Sequence, residues 1–109
     1  MATTKAAVTR GSANVFRDLG LKKPEELLAK AKLAARIVQI FEARKLTQTQ
    51  AAKALGIDQP KISQLYRGRL DDFSLERLMR FLTTLHQDIR IVVESKPRRG
   101  RGRMIVEAA

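Results

Sequence analysis

The chain has 109 residues, 22 Lys and Arg against 11 Asp and Glu, and a formal net charge of +11, so it can hold one modest core and its surface draws polyanions, nucleic acid ahead of anionic membrane. With no cysteine and one histidine, disulfides, thiolate metal sites and a histidine metal cluster are excluded. No apolar run approaches the roughly 18 residues that span a bilayer, and Met1 to Arg10 has no signal-peptide hydrophobic region, so a soluble, cytoplasmic protein without membrane contact, cofactor or metal is expected.

Residues 1 to 12 are small, polar and unperiodic, the composition of a flexible arm that buries too little apolar area to offset its ordering entropy. In NVFRDLG, residues 14–20, Val15, Phe16 and Leu19 are spaced like one or two helical turns ended by a glycine. A long helix is expected from about 24 to 45. Pro24 suits its first turn and Glu25 and Glu26 complement its dipole, while Leu27, Ala31, Ala34, Val38 and Phe41 repeat at helical spacing. Ile37 and Ile40 widen that stripe, leaving Lys30, Lys32 and Arg36 to face solvent or a partner.

Thr47-Gln48-Thr49-Gln50 reads as a capping box opening a second helix, whose inner side is Ala51, Ala52 and Leu55 and whose end is Gly56. Asp58 caps a third helix that tolerates Pro60 in its first turn, turns Ile62 and Leu65 inward and closes at Gly68. Ser74 caps a fourth, with Leu75, Leu78, Met79, Leu82 and Leu85 as its apolar stripe, running to about His86.

After His86 the period changes. Ile89, Ile91 and Val93 alternate with Arg90, Val92 and Glu94, β-branched residues dominate, and a strand is expected over 88–94. A lone strand leaves its backbone groups unpaired, and no other segment reads as a strand. Its copy in a second subunit is the expected partner, with Leu82 and Leu85 closing beneath the joint. KPRRGRGR, residues 96–103, holds five cations with glycines and a proline and reads as a flexible basic tail: a phosphate clamp, a minor-groove arm, or a merely solubilising end. The organisation is then an arm over 1–12, a domain over 13–94 and a tail over 95–109.

The segment 47–67, TQTQAAKALGIDQPKISQLYR, meets what two short helices packed at a steep angle need. Ala52 is small at the crossing, Gly56 accepts positive φ, and Ile62 plugs the core from the second helix of the pair. The outward face of that helix carries Gln59, Lys61, Ser63, Gln64 and Arg67, with Arg69 just beyond, all suited to base edges and phosphates. An ordinary solvated face would more often include Asp and Glu.

This segment resembles the Cro and cI-like repressors of the XRE family. The resemblance implies a mainly α, Cro/cI-like helical bundle with a helix-turn-helix, in which Thr47 and Gln48 meet phosphate and Gln59 and Gln64 read bases of double-stranded DNA, accompanied by Lys61 and Ser63. Pro60 stands where such repressors often carry a polar residue. Over residues 11 to 94 the chain also resembles antitoxins of the HigA type, through GSANVFRDLG, PEELLAKAKLA, the motif with FSLERL, and DIRIVV. That likeness implies a RelE/HigB-like ribonuclease toxin as partner and repression of its own operon, with Val15, Phe16 and Leu19 or the first helix as the candidate contact, while pairing of the 88–94 strand with its two-fold copy implies a homodimer on a palindromic operator. A stand-alone regulator without a toxin is the alternative. Antitoxins often carry acidic surface, and this chain is basic.

No Ser, Cys or paired carboxylate stands at a catalytic spacing, and His86 at a helix end suits the dipole, so no enzyme is expected. Asp71-Asp72 reads as turn and capping residues rather than a metal site, and Tyr66 and Phe73 as packing residues rather than a base-stacking platform.

Overall fold

The computed structural model describes residues 23–96 and 99–108. Pro24 and the acidic pair Glu25 and Glu26 start α1, Lys23–Ala43. It ends without a glycine: Lys45 takes the left-handed conformation at φ 56°, and the Leu46 N–H donates to the Phe41 carbonyl at 3.0 Å. Helix α2, Gln48–Leu55, opens on the expected capping box. Gln50 N–H donates to Thr47 Oγ1 at 3.1 Å, and Thr47 N–H donates to Gln50 Oε1 at 2.8 Å, so two orphan donors are satisfied reciprocally.

Gly56 sits at φ 68°, and its N–H and that of Ile57 close the end of α2 on the Lys53 and Ala52 carbonyls. A Cβ built there would meet nothing within 4 Å, so the requirement for glycine is conformational and not one of space. Helix α3, Gln59–Arg67, holds Pro60 in its first turn and closes at Gly68 in the same way. Asp58 occupies its N-cap position but makes no side-chain capping bond, contrary to the sequence expectation. Ser74 does cap α4, Leu75–Thr84, accepting from the Arg77 N–H at 3.0 Å. This helix stops before His86, which is left-handed at φ 68°.

Helix α1 packs against α4 and α3, α2 lies on α3, and α2 also touches α4. Between them Ile37, Phe41, Ile62, Phe73, Leu78 and Leu85 are essentially inaccessible, with Ala51, Ala52, Leu65, Leu70, Phe81 and Leu82 completing the core. Phe73 meets Phe81 edge-on at 6.0 Å, and Phe41 stacks on Tyr66 at 6.2 Å. Burial, then the nearby Glu42 carboxylate, raises the Tyr66 phenol above its ordinary value.

The inward side of α1 is rotated from the expected stripe. Ala29, Leu33, Ala34, Ile37, Ile40 and Phe41 are buried, while Leu27 and Leu28 are 45% and 57% exposed and Ala31 is exposed. Both sets are helically spaced, and contact with α3 and α4 selects between them. Lys30, expected at the surface, is buried, because Glu26 one turn earlier is buried with it and pairs at 3.5 Å.

Among the described residues there is no β-strand. The expected strand over 88–94 follows α4 with no backbone ladder, because a ladder needs a second strand and the described residues bring none beside it. Leu82 and Leu85, expected beneath a subunit joint, are 3% and 1% exposed within one chain's core. Met104 N–H donates to Glu25 Oε2 at 2.8 Å and Val106 packs against the core, so the chain end returns to the start of α1.

The packing predicts a ranking of stability losses. Ile62→Ala, which empties a fully buried site, should cost about 2–5 kcal/mol, whereas Gly56→Ala, strained only in its backbone, should cost about 1–2 kcal/mol. Urea unfolding followed by circular dichroism checks both.

Candidate nucleic-acid interface

Helix α3 has two unlike sides. Ile62 and Leu65 are turned into the core at 0% and 2% exposure, and a helix period then directs Gln59, Lys61, Ser63, Gln64 and Arg67 away from it. Gln59 and Arg67 are exposed, as is Arg69 beyond the helix, while Lys61, Ser63 and Gln64 are half-buried. No acidic residue lies in α3 or in the first turn of α2, so the partial positive charge at both helix starts is not offset within the helices. Gln48 begins α2 half-buried, and Thr47 is exposed with its hydroxyl accepting the capping bond.

The polar side chains are organised among themselves. Arg67 Nη2 donates to Ser63 Oγ at 2.9 Å. Gln64 Nε2 donates to Asp72 Oδ2 at 3.2 Å, and Lys61 Nζ lies 3.6 Å from the same oxygen. Gln64 Oε1 is buried without a hydrogen-bond partner. Lys61 also stands 5.9 Å from the Phe73 ring centre. The chain segment after Gly68 thus reaches back to the face of α3. Sequence reading placed Asp72 in a turn, and nothing in its spacing from Gln64 marks the interaction, which depends on how that segment folds over the helix.

Two further arginines serve the scaffold. Arg44 Nη2 donates to the Leu85 carbonyl at 2.6 Å, tying the end of α1 to that of α4. Arg77 lies 5.5 Å from the Phe73 ring centre and 5.4 Å from that of Phe81. Neither was singled out from sequence.

Away from α3, Ile89, Ile91 and Val93 are 36%, 75% and 93% exposed. Lys96 pairs with Glu94 at 3.3 Å, and Arg99, Arg101 and Arg103 are exposed. The outgoing and returning limbs of this region flank an open groove of about 540 Å³ lined by Arg90, Lys96, Arg101 and Arg103 together with Glu94 and Glu107. The arm over 1–12, the Val15, Phe16 and Leu19 segment and Arg98 lie outside the described residues. Among the described helices none is long and apolar enough to cross a membrane.

Residues 15–94 match the family model of a helix-turn-helix domain. A solved structure named as an XRE family transcriptional regulator superposes with a TM-score of 0.75 at 43% sequence identity, covering 81% of this chain and 100% of that one. No curated protein matches the chain. Helices α2 and α3 have the form of a helix-turn-helix: two short helices joined through Gly56, one side of the second in the core and the other polar and basic. The chain belongs to the helix-turn-helix domain family and is a DNA-binding transcriptional regulator of the XRE type.

Proposed function

We propose that this protein is a repressor that binds a palindromic operator as a homodimer, with α3 in the major groove. The observation that carries this reading is the division of α3 into a buried apolar side and an acid-free polar side bearing two glutamines and two cations. Glutamine pairs bidentately with adenine, while Lys and Arg meet guanine edges or phosphate. Gln48, at the start of α2, meets the backbone phosphate beside the groove.

Gln59 is exposed at the start of α3, and Gln64 lies just over one turn further along. Replacing either by Ala should cost about 1–3 kcal/mol at its own base pair and leave binding to random duplex nearly unchanged. Titration of both duplexes at one fixed salt concentration checks this, and an equal loss on the two would move these residues to backbone contacts.

Dimerisation is supported by Ile89, Ile91 and Val93, exposed on a segment with no ladder of its own. Antiparallel pairing with the same segment of a second copy would satisfy its backbone groups and cover those side chains. Two α3 helices would then read grooves about one helical turn, roughly 34 Å, apart. Ile91→Pro removes a ladder donor at a position outside the core, so it should give monomers that bind operator weakly and keep their helical content. Sedimentation and circular dichroism decide, and a variant that stays dimeric would place the interface elsewhere.

A role as the antitoxin of a type II toxin-antitoxin pair rests on the resemblance to HigA-type proteins, with a stand-alone regulator as its rival. The contact would be Val15, Phe16 and Leu19, an apolar surface that needs no acidic charge. Coexpression with the product of an adjoining RelE-like reading frame should yield a complex that Phe16→Asp breaks while operator binding survives. A chain that forms no such complex, or has no such neighbour, acts alone.

A further inference from the structure

Resting on the reading of α3 as the DNA-facing helix, we propose that Asp72 is a specificity-determining positioning residue, a built-in anionic competitor that holds Gln64 and Lys61 until a cognate base pair displaces it. One carboxylate oxygen, Oδ2, accepts from Gln64 Nε2 at 3.2 Å and lies 3.6 Å from Lys61 Nζ. The two side chains it engages are both on the polar side of α3, and it comes from the loop between α3 and α4 rather than from α3 itself.

The hydrogen bonding of Gln64 gives this arrangement its consequence. A carboxylate accepts and does not donate, so the amide must present its NH₂ to Asp72. Its oxygen is then left buried with no donor. The resting position satisfies half of the amide. An adenine offers both halves, N6–H₂ to Gln64 Oε1 and N7 to Gln64 Nε2, and so replaces the bond to Asp72 while supplying the missing one. A base pair that lacks this donor and acceptor pattern offers no such gain, and Gln64 stays with Asp72.

Lys61 adds the electrostatic half. Its side chain is two-thirds buried and that of Asp72 about half exposed, at 34% and 55%. Such a pair contributes little to stability in solvent. Beside a DNA backbone its effect differs: the carboxylate cancels one cation available to phosphate and repels phosphates near the groove-facing helix. Nonspecific binding is almost wholly electrostatic, so it loses more than operator binding does. Asp72 therefore widens the ratio between the two, a useful property in a chain whose net charge is +11.

The test compares Asp72→Asn with Asp71→Asn, a neighbouring exposed carboxylate that changes net charge equally without touching α3's partners. Affinity for operator and for random duplex is measured against salt concentration. With Asp72→Asn the slope of log affinity against log salt on random duplex should steepen by about 0.9, because Lys61 becomes free to neutralise one more phosphate. The ratio of operator to random-duplex affinity should fall, and Asp71→Asn should do neither. In a Lys61→Gln background the slope change from Asp72→Asn should vanish, which shows that it acts through Lys61. Equal effects of the two aspartate variants, or none from Asp72→Asn, would overturn the proposal. If Gln59→Ala still loses operator affinity selectively in that case, the DNA-facing assignment of α3 stands. If that variant and Lys61→Gln are also silent, both fall together.

Discussion

The structure depends on the insertion of Ile62 and Leu65 into the space between α1, α2 and α4. Helix α3 has nine residues, fewer than the roughly 12 to 15 at which an isolated helix becomes even marginal in water. It exists because its apolar side is buried. Since a helix has one period, placing Ile62 at 0% exposure also sets the direction of Gln59, Lys61, Gln64 and Arg67. Stability and recognition are two sides of the same nine residues. The capping box of α2 and the left-handed Gly56 serve that end by setting the angle at which α3 enters the core.

The positive charge is not distributed uniformly in its uses. Arg44 satisfies the Leu85 carbonyl, Arg77 lies against two core phenylalanines, and Lys30 is buried with Glu26. These cations are engaged in contacts within the bundle. Arg67, Arg69, Arg99, Arg101 and Arg103 remain exposed. Asp72 introduces an opposite charge at the face where attraction would otherwise be least selective. A helix-turn-helix regulator needs this distinction, because the whole duplex attracts its charge and only the base edges identify the operator.

Beyond α4 the chain follows another logic. Ile91, Val92 and Val93 are 75%, 67% and 93% exposed, an apolar run that one chain leaves uncovered. The returning end is anchored instead, through Met104 to Glu25 and through Val106 to the core. The region therefore combines an uncovered apolar run with a fastening to α1. The basic residues from 96 to 103 lie between that uncovered run and the anchored end.

Much of this was legible in the sequence, where a local rule governs the outcome. The capping box at Thr47 and Gln50, the glycine ends at 56 and 68, the Ser74 cap and the inward Ile62 and Leu65 each follow from a few neighbouring residues, and with them the helix-turn-helix and its polar face. What depended on distant parts of the chain was not legible. Two helically spaced apolar sets competed on α1, and only packing against α3 and α4 chose the one containing Ala29 and Leu33. Leu82 and Leu85 have the same pattern whether they fill their own core or a subunit joint, and the alternating residues after His86 describe side chains suited to a sheet without supplying the second strand. Asp72 is the plainest case: its type and position predict a turn, and its bonds to Gln64 and Lys61 arise only when the loop folds back across α3. Local periodicity determines which side of an element is apolar, whereas the partner that side meets is decided by the packing of the whole chain.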